Sequence, residues 1–184
     1  MGDEHNNRVV ELPAGSTTPV VLPFVGLRAP SDVTVDTMGG VYTVDTGTNR
    51  VLKLPKGSTT PTPLPLQGLR RPNALAVDRT GNLYVTDADD DHVLRFSADS
   101  AVTSQLPFTG LDEAGGVAVD AAGNVYVASS VSKQVLELPA GWPAPNEVPF
   151  VGLTEPDAVA VDPQGNPYVV DAASNRVLKL TLGQ

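Results

Sequence analysis

The chain has 184 residues, 41% of them hydrophobic and 18% charged, with 21 acidic against 12 basic side chains and a net charge of −9. That acidity argues against nucleic acid, whose phosphates need a basic face, and against an anionic membrane surface. The chain has no cysteine, which excludes disulfides, thiolate catalysis and Cys-ligated metals, and no apolar run reaches the ~18 residues of a membrane-spanning helix.

A Val/Leu-rich apolar set, 17 Gly and 17 Pro favour short strands joined by many turns. The first strand-like run is RVVEL (8–12), followed by PVVLPF (19–24). Next come DVTVD (32–36), a tight turn, VYTV (41–44), a polar turn, VLKL (51–54) and the proline-containing TPLPL (62–66). This set of four then recurs. The Gly-Leu dipeptide returns at Gly26, Gly68, Gly110 and Gly152, and the Asp ending the first run at Asp36, Asp78, Asp120 and Asp162. Each step is 42 residues, with no insertion or deletion. The second run always carries Tyr: Tyr42, Tyr84, Tyr126 and Tyr168.

Four short strands per repeat of about 40 residues, with turn chemistry between them, predict an all-β chain folded as a β-propeller of four-stranded blades. The expected blades are 31–66, 73–108, 115–150 and 157–184, within a single domain spanning 1–184. The last blade lacks a fourth strand, which residues 8–24 could supply. That leaves one third strand in surplus, RVVEL or RVLKL. The chain is therefore expected to be a closed four-bladed ring with a redundant strand, or an arc of a larger ring completed by another copy. An excised or engineered piece whose property is self-assembly would read the same way.

Around the second turn an acid and a base change together. Asp45 goes with Arg50, Asp171 with Arg176 and Asp3 with Arg8; in the second blade the pair is Asp87 and His92, and in the third Ser129 and Gln134. A partly exposed contact positioning each turn is expected. TDADDDH (86–92) offers Asp87, Asp89 and Asp91 in the spacing that opens a calcium loop, but His92 and Ala98 stand where such a loop needs Gly and Glu. It reads as a solvated acidic turn, so no metal and no cofactor is expected. With two histidines, no G-x-S-x-G elbow and no phosphate loop, no catalytic set is apparent, and the expectation is that the chain is not an enzyme.

The repeats differ most in two sets of loops that a propeller places on one face. Those loops give the candidate binding residues Arg28, Arg70, Arg71, Asn73, Asp89, Asp90, Asp91, Asp112, Glu113, Lys133, Glu155 and Asp157. Trp142, the single tryptophan, falls on the opposite face, where it either anchors a partner or caps a blade edge.

The phrases VLPFVGL, VAVD, GNVYV, NRVLKL and PAGS resemble the NHL repeat over essentially the whole chain. The pattern looks like the extracellular sensor propeller of mycobacterial-type receptor serine/threonine kinases. That resemblance implies a ligand-sensing or protein-interaction module outside the cell, binding an unknown protein, peptide or glycan. Any kinase activity would lie in a separate domain, since no kinase motif is present. The polar start MGDEHNN does not read as a signal peptide. The alternative function is a lyase or lactonase of the NHL type. Homo-oligomerisation through the repeated ends is a further possibility.

Overall fold

The computed structural model describes residues 1–181; residues 182–184, which the expected fourth blade includes, lie outside the described residues. Among these the chain forms five antiparallel sheets and no α-helix. The first sheet joins β1 (Gly2–Asp3), β2 (Arg8–Glu11) and β3 (Val20–Val21). Three complete blades follow: β4 (Pro30–Val35), β5 (Val41–Asp45), β6 (Arg50–Leu54) and β7 (Thr62–Pro63); then β8 (Pro72–Val77), β9 (Leu83–Asp87), β10 (His92–Phe96) and β11 (Thr103–Gln105); then β12 (Ala114–Val119), β13 (Val125–Ser129), β14 (Gln134–Leu138) and β15 (Asn146–Glu147). The last sheet, of β16 (Pro156–Val161), β17 (Pro167–Asp171) and β18 (Arg176–Lys179), has three strands.

The first hairpin of each repeat turns on its Asp. Asp78 accepts the backbone N–H groups of Thr80 and Asn82 while Gly81 takes a positive φ of 87°, which costs a side-chain-bearing residue far more than glycine. Asp36, Asp120 and Asp162 do the same two and four residues on. The second turn closes on a left-handed residue in every copy: Asn7, Asn49, Asp91, Lys133 and Asn175, with φ between 50° and 57°. Four of the five are Asn or Asp, which tolerate that conformation through local hydrogen bonds.

The fourth strands are shorter than the runs expected from sequence. β7 is Thr62–Pro63, and beyond it only the Leu64 N–H reaches the neighbouring strand, at the Val51 carbonyl, 2.9 Å away. Leu106 to Val93 and Val148 to Val135 repeat the contact at 2.8 Å. The reason is proline: Pro65, Pro107 and Pro149 follow and have no N–H to continue a ladder.

The core lies between blades. Tyr42, Val44 and Val51 of one blade pack on Leu75, Leu83, Val85, Leu94 and Phe96 of the next, and equivalent clusters fill the other junctions. Near the axis the first strands approach closely. A Cβ on Gly116 would meet the Ala158 Cα at 2.8 Å, so only glycine fits there. The expected completion of the last blade by residues 8–24 is not made within this chain. Val20 and Val21 pair with Glu11 and Val10, and β18 has no strand on its outer side among the described residues. Among the described residues each end has an incomplete sheet, so these residues form an arc.

Candidate functional site

The loops after the second and fourth strands share one face. The backbone ties them together: Gly47 N–H to Arg28 O at 2.9 Å, Ala88 to Arg71 at 3.0 Å, Ser130 to Glu113 at 3.3 Å and Ala172 to Glu155 at 2.8 Å. Beneath each tie sits one side chain. Asp45, Asp87, Ser129 and Asp171 are completely buried. Asp87 accepts the N–H groups of Arg70 and Arg71 at 2.7 and 3.0 Å, and Asp171 those of Thr154 and Glu155 at 3.0 and 2.8 Å. Ser129 plays the same part for Asp112 at 2.8 Å.

Sequence reasoning paired these acids with a base across the turn. The structure gives them a larger task, since each also anchors the loop leading into its own blade. The arginines reach further too. Arg50 Nε bonds Asp45 at 2.9 Å and Arg50 Nη2 bonds the Gly26 carbonyl at 2.9 Å. Arg176 does the same with Asp171 and Gly152, and Gln134 reaches Gly110 at 2.8 Å. His92 is too short for this span, and its Nε2 is buried without a hydrogen-bond partner. Desolvation works against a charged Asp171, but the N–H of Glu155, the Thr154 hydroxyl and the Arg176 guanidinium outweigh it and hold the carboxyl well below the usual range.

Above this layer, the second and third blades carry a charged network. Arg71 Nε bonds Asp89 at 2.6 Å, and its other nitrogens reach Glu113 of the next blade at 3.4 Å. Arg70 pairs with Asp90 at 3.1 Å. Asp91 accepts the Glu113 N–H at 2.7 Å, a second link between these blades. The carboxylate bonds hold both arginines firmly protonated. Asn73 lies at the inner edge, where its carbonyl accepts the Ser31 hydroxyl at 2.6 Å. Arg28, Asp112, Lys133, Glu155 and Asp157 are exposed and enter no ion pair among the described residues.

The Asp87, Asp89 and Asp91 spacing does not produce a common site, because Asp89 turns to Arg71 and Asp91 to Glu113. Asp87, Asp90 and His92 instead converge, with one ligand atom from each within 4.8 Å of the others. These three would hold a hard cation, but the Arg70 guanidinium already occupies Asp90. Trp142 is 57% exposed.

Sequence reasoning also missed Asp32. Asp32 lies on β4, in the run DVTVD, and accepts the Leu75 N–H of the next blade at 2.9 Å. Burial raises its pKa against the pull of two backbone N–H groups. A carboxyl with that shift on an inner strand is a candidate site residue. The signal was a lone Asp where the other repeats have Ala74, Gly116 and Ala158.

Residues 27–54 match the NHL repeat, and the architecture is that of a β-propeller. No curated protein matches the chain. Among solved structures, a catalytically inactive histidine-to-alanine variant of virginiamycin B lyase from Staphylococcus aureus, with quinupristin, superposes with a TM-score of 0.77. Its identity is 14%, over 97% of this chain and 61% of that one. The nidogen/laminin complex gives 0.80 at 22% identity, over 91% and 64%. A streptogramin B lyase gives 0.73 at 14%, over 98% and 64%. The chain thus spans about three fifths of the length of the propellers it matches, and at these identities the likeness carries the fold alone.

One expectation is corrected here. The missing catalytic motifs imply, from sequence, that the chain is not an enzyme, but the same frame serves two lyases. The absence of familiar catalytic spacings in a propeller is therefore no ground for excluding catalysis.

Proposed function

We propose that this propeller arc is a recognition module that binds a protein or peptide partner through the face built by Arg70, Arg71, Asp89, Asp90 and Glu113. One observation carries the reading: variable charged loops concentrate on one face, over a framework whose strands and turns barely change between blades. Loops on a rigid scaffold are where binding residues gather. A propeller in the nidogen/laminin complex supports the use of this fold against a protein partner. The resemblance to receptor-kinase sensor propellers favours a sensing role on the outer face of a cell envelope.

A second reading, catalysis of the lyase type, is favoured by the buried unpartnered His92 Nε2 beside Asp87 and Asp90. Peptide and glycan arrays probed with the chain and with Arg70→Glu/Arg71→Glu separate the two. Recognition by this face predicts peptide binding that the double variant loses by tenfold or more. Equal binding by both proteins overturns it. Bound probes that change mass on incubation, in a way that His92→Ala abolishes, establish the second reading.

A further inference from the structure

Every junction between blades uses the same two faces. One carries the second-strand Tyr and the Val near the start of the third strand; the next blade meets it with apolar residues of its first three strands. That Val occurs five times. Val9, Val51, Val93 and Val135 are wholly buried, whereas Val177 is 66% exposed. Val44, Thr86 and Ala128 are wholly buried, whereas their equivalent Val170 is 38% exposed. The sheet β16–β18 thus ends in a face that three complete blades keep covered, and in each the cover is another blade.

At the other end, a groove of about 1080 Å³ opens between β2 and the first complete blade. Val33, Val35, Val41 and Leu54 line it. Their equivalents one blade on, Leu75, Val77, Leu83 and Phe96, pack in one cluster with Tyr42. The groove is therefore the seat of a second-strand Tyr, and among the described residues the sheet β1–β3 holds none. The two deficits match. Among the described residues the last sheet has first, second and third strands and no fourth; Val20–Val21 is a fourth strand backed only by β2 and the two-residue β1.

We infer that a second copy of this chain docks its β16–β18 into this groove. Tyr168 fills the cavity, Val177 takes the place of Val9, and β18 pairs with Val20–Val21 where β2 now does. The complete blades set the register. Lys53 faces Thr62, Arg95 faces Ser104 and Glu137 faces Asn146, so Lys179 will face Val20. Two copies exchanging sheets in this way contribute four blades each and close a ring within the usual propeller range. Closure within one chain would bend four blades through a full turn. Among the described residues no such closure is made, since Val20–Val21 pairs with β2 and β18 only with β17.

Light scattering over a range of concentrations is expected to give a dimer of about 38 kDa, twice the 19.1 kDa chain. The chain has no cysteine, so Val20→Cys/Lys179→Cys reports one contact only. Oxidised, it is expected to form a covalent dimer on a gel without reductant. Val177→Asp, at a position exposed in the single chain, is expected to return the mass to 19.1 kDa with the strand circular dichroism unchanged. A monomer at every concentration overturns the inference. So does a disulfide formed within one chain, or a dimer that persists in Val177→Asp and leaves the cysteines unlinked.

Discussion

The carboxylate of Asp45 accepts the backbone N–H of Arg28 at 2.6 Å, joining the end of one strand to the loop that entered the blade 17 residues earlier. The same oxygen pair also holds Thr48 and Arg50, and no part of Asp45 is open to solvent. Asp45→Ala leaves the buried Arg28 N–H unpaired and takes the carboxylate from Arg50, which is partly exposed and keeps the Gly26 carbonyl, a loss of about 2–3 kcal/mol. Urea denaturation is expected to show it as a lower midpoint with an unchanged slope. A cost under about 1 kcal/mol would mean that the loop anchors itself without the carboxylate.

His92 is the exception among the turn bases. Arginine at the same position reaches both the acid and a glycine carbonyl in the turns before Arg50 and Arg176. His92→Arg is expected to pair with Asp87 and the Gly68 carbonyl, removing the orphaned Nε2 and raising stability by about 1 kcal/mol. Thermal unfolding measures the gain. The same variant removes one of three converging ligand atoms, so any zinc or manganese binding seen by calorimetry in the parent should vanish.

Lys133 pays for its left-handed backbone, with φ at 57°, where three other copies use asparagine. Lys133→Asn is expected to stabilise the chain by about 0.5–1 kcal/mol. The side chain is exposed, so no packing is lost. A null result in chemical denaturation would assign the conformation to the neighbouring strands instead.

The Arg71–Glu113 contact spans two blades, yet both side chains are nearly half exposed. A double-mutant cycle on Arg71→Ala and Glu113→Ala is expected to give a coupling of about 0.5 kcal/mol or less, fading with salt. Little stability resides there. A loss of partner binding in either variant will then report recognition and not unfolding.

Acid should destabilise the chain through Asp171. Asp171 has a depressed pKa when folded, so its contribution is full above the unfolded value near 3.8 and is lost as pH falls toward the folded one. Stability measured from pH 6 to pH 2 is expected to fall below about pH 4.5, and Asp171→Asn to flatten that fall. Asp32 runs the other way, because burial raises its pKa; its ionisation opposes folding as pH rises through the folded value.

The strand framework was legible because strand signals are local. Asp78 with Gly81, or Tyr84 in an apolar run, fixes a hairpin within a few residues. The fourth strands stop short of their apolar runs for a reason also local, since Pro65 has no N–H to carry the ladder past Leu64. The site was less legible. That Asp87 serves Arg70 and Arg71, or that Asp90 and not Asp89 lies beside His92, depends on how a loop folds back over a turn. Spacing carries no record of that path. Asp32 escaped notice because its partner, Leu75, is 43 residues away on the next blade.

Among the described residues each blade packs on its neighbours in the chain, and no strand is shared between sheets. Under tension applied at its termini, such an assembly has no single breaking point. The three-stranded end sheets carry the fewest neighbours and release first, and the inner blades follow one at a time. Force extension should therefore show a staircase, each step lengthening the tether by one 42-residue repeat, about 140 Å of extended chain. A module of this kind yields to pulling by graded lengthening.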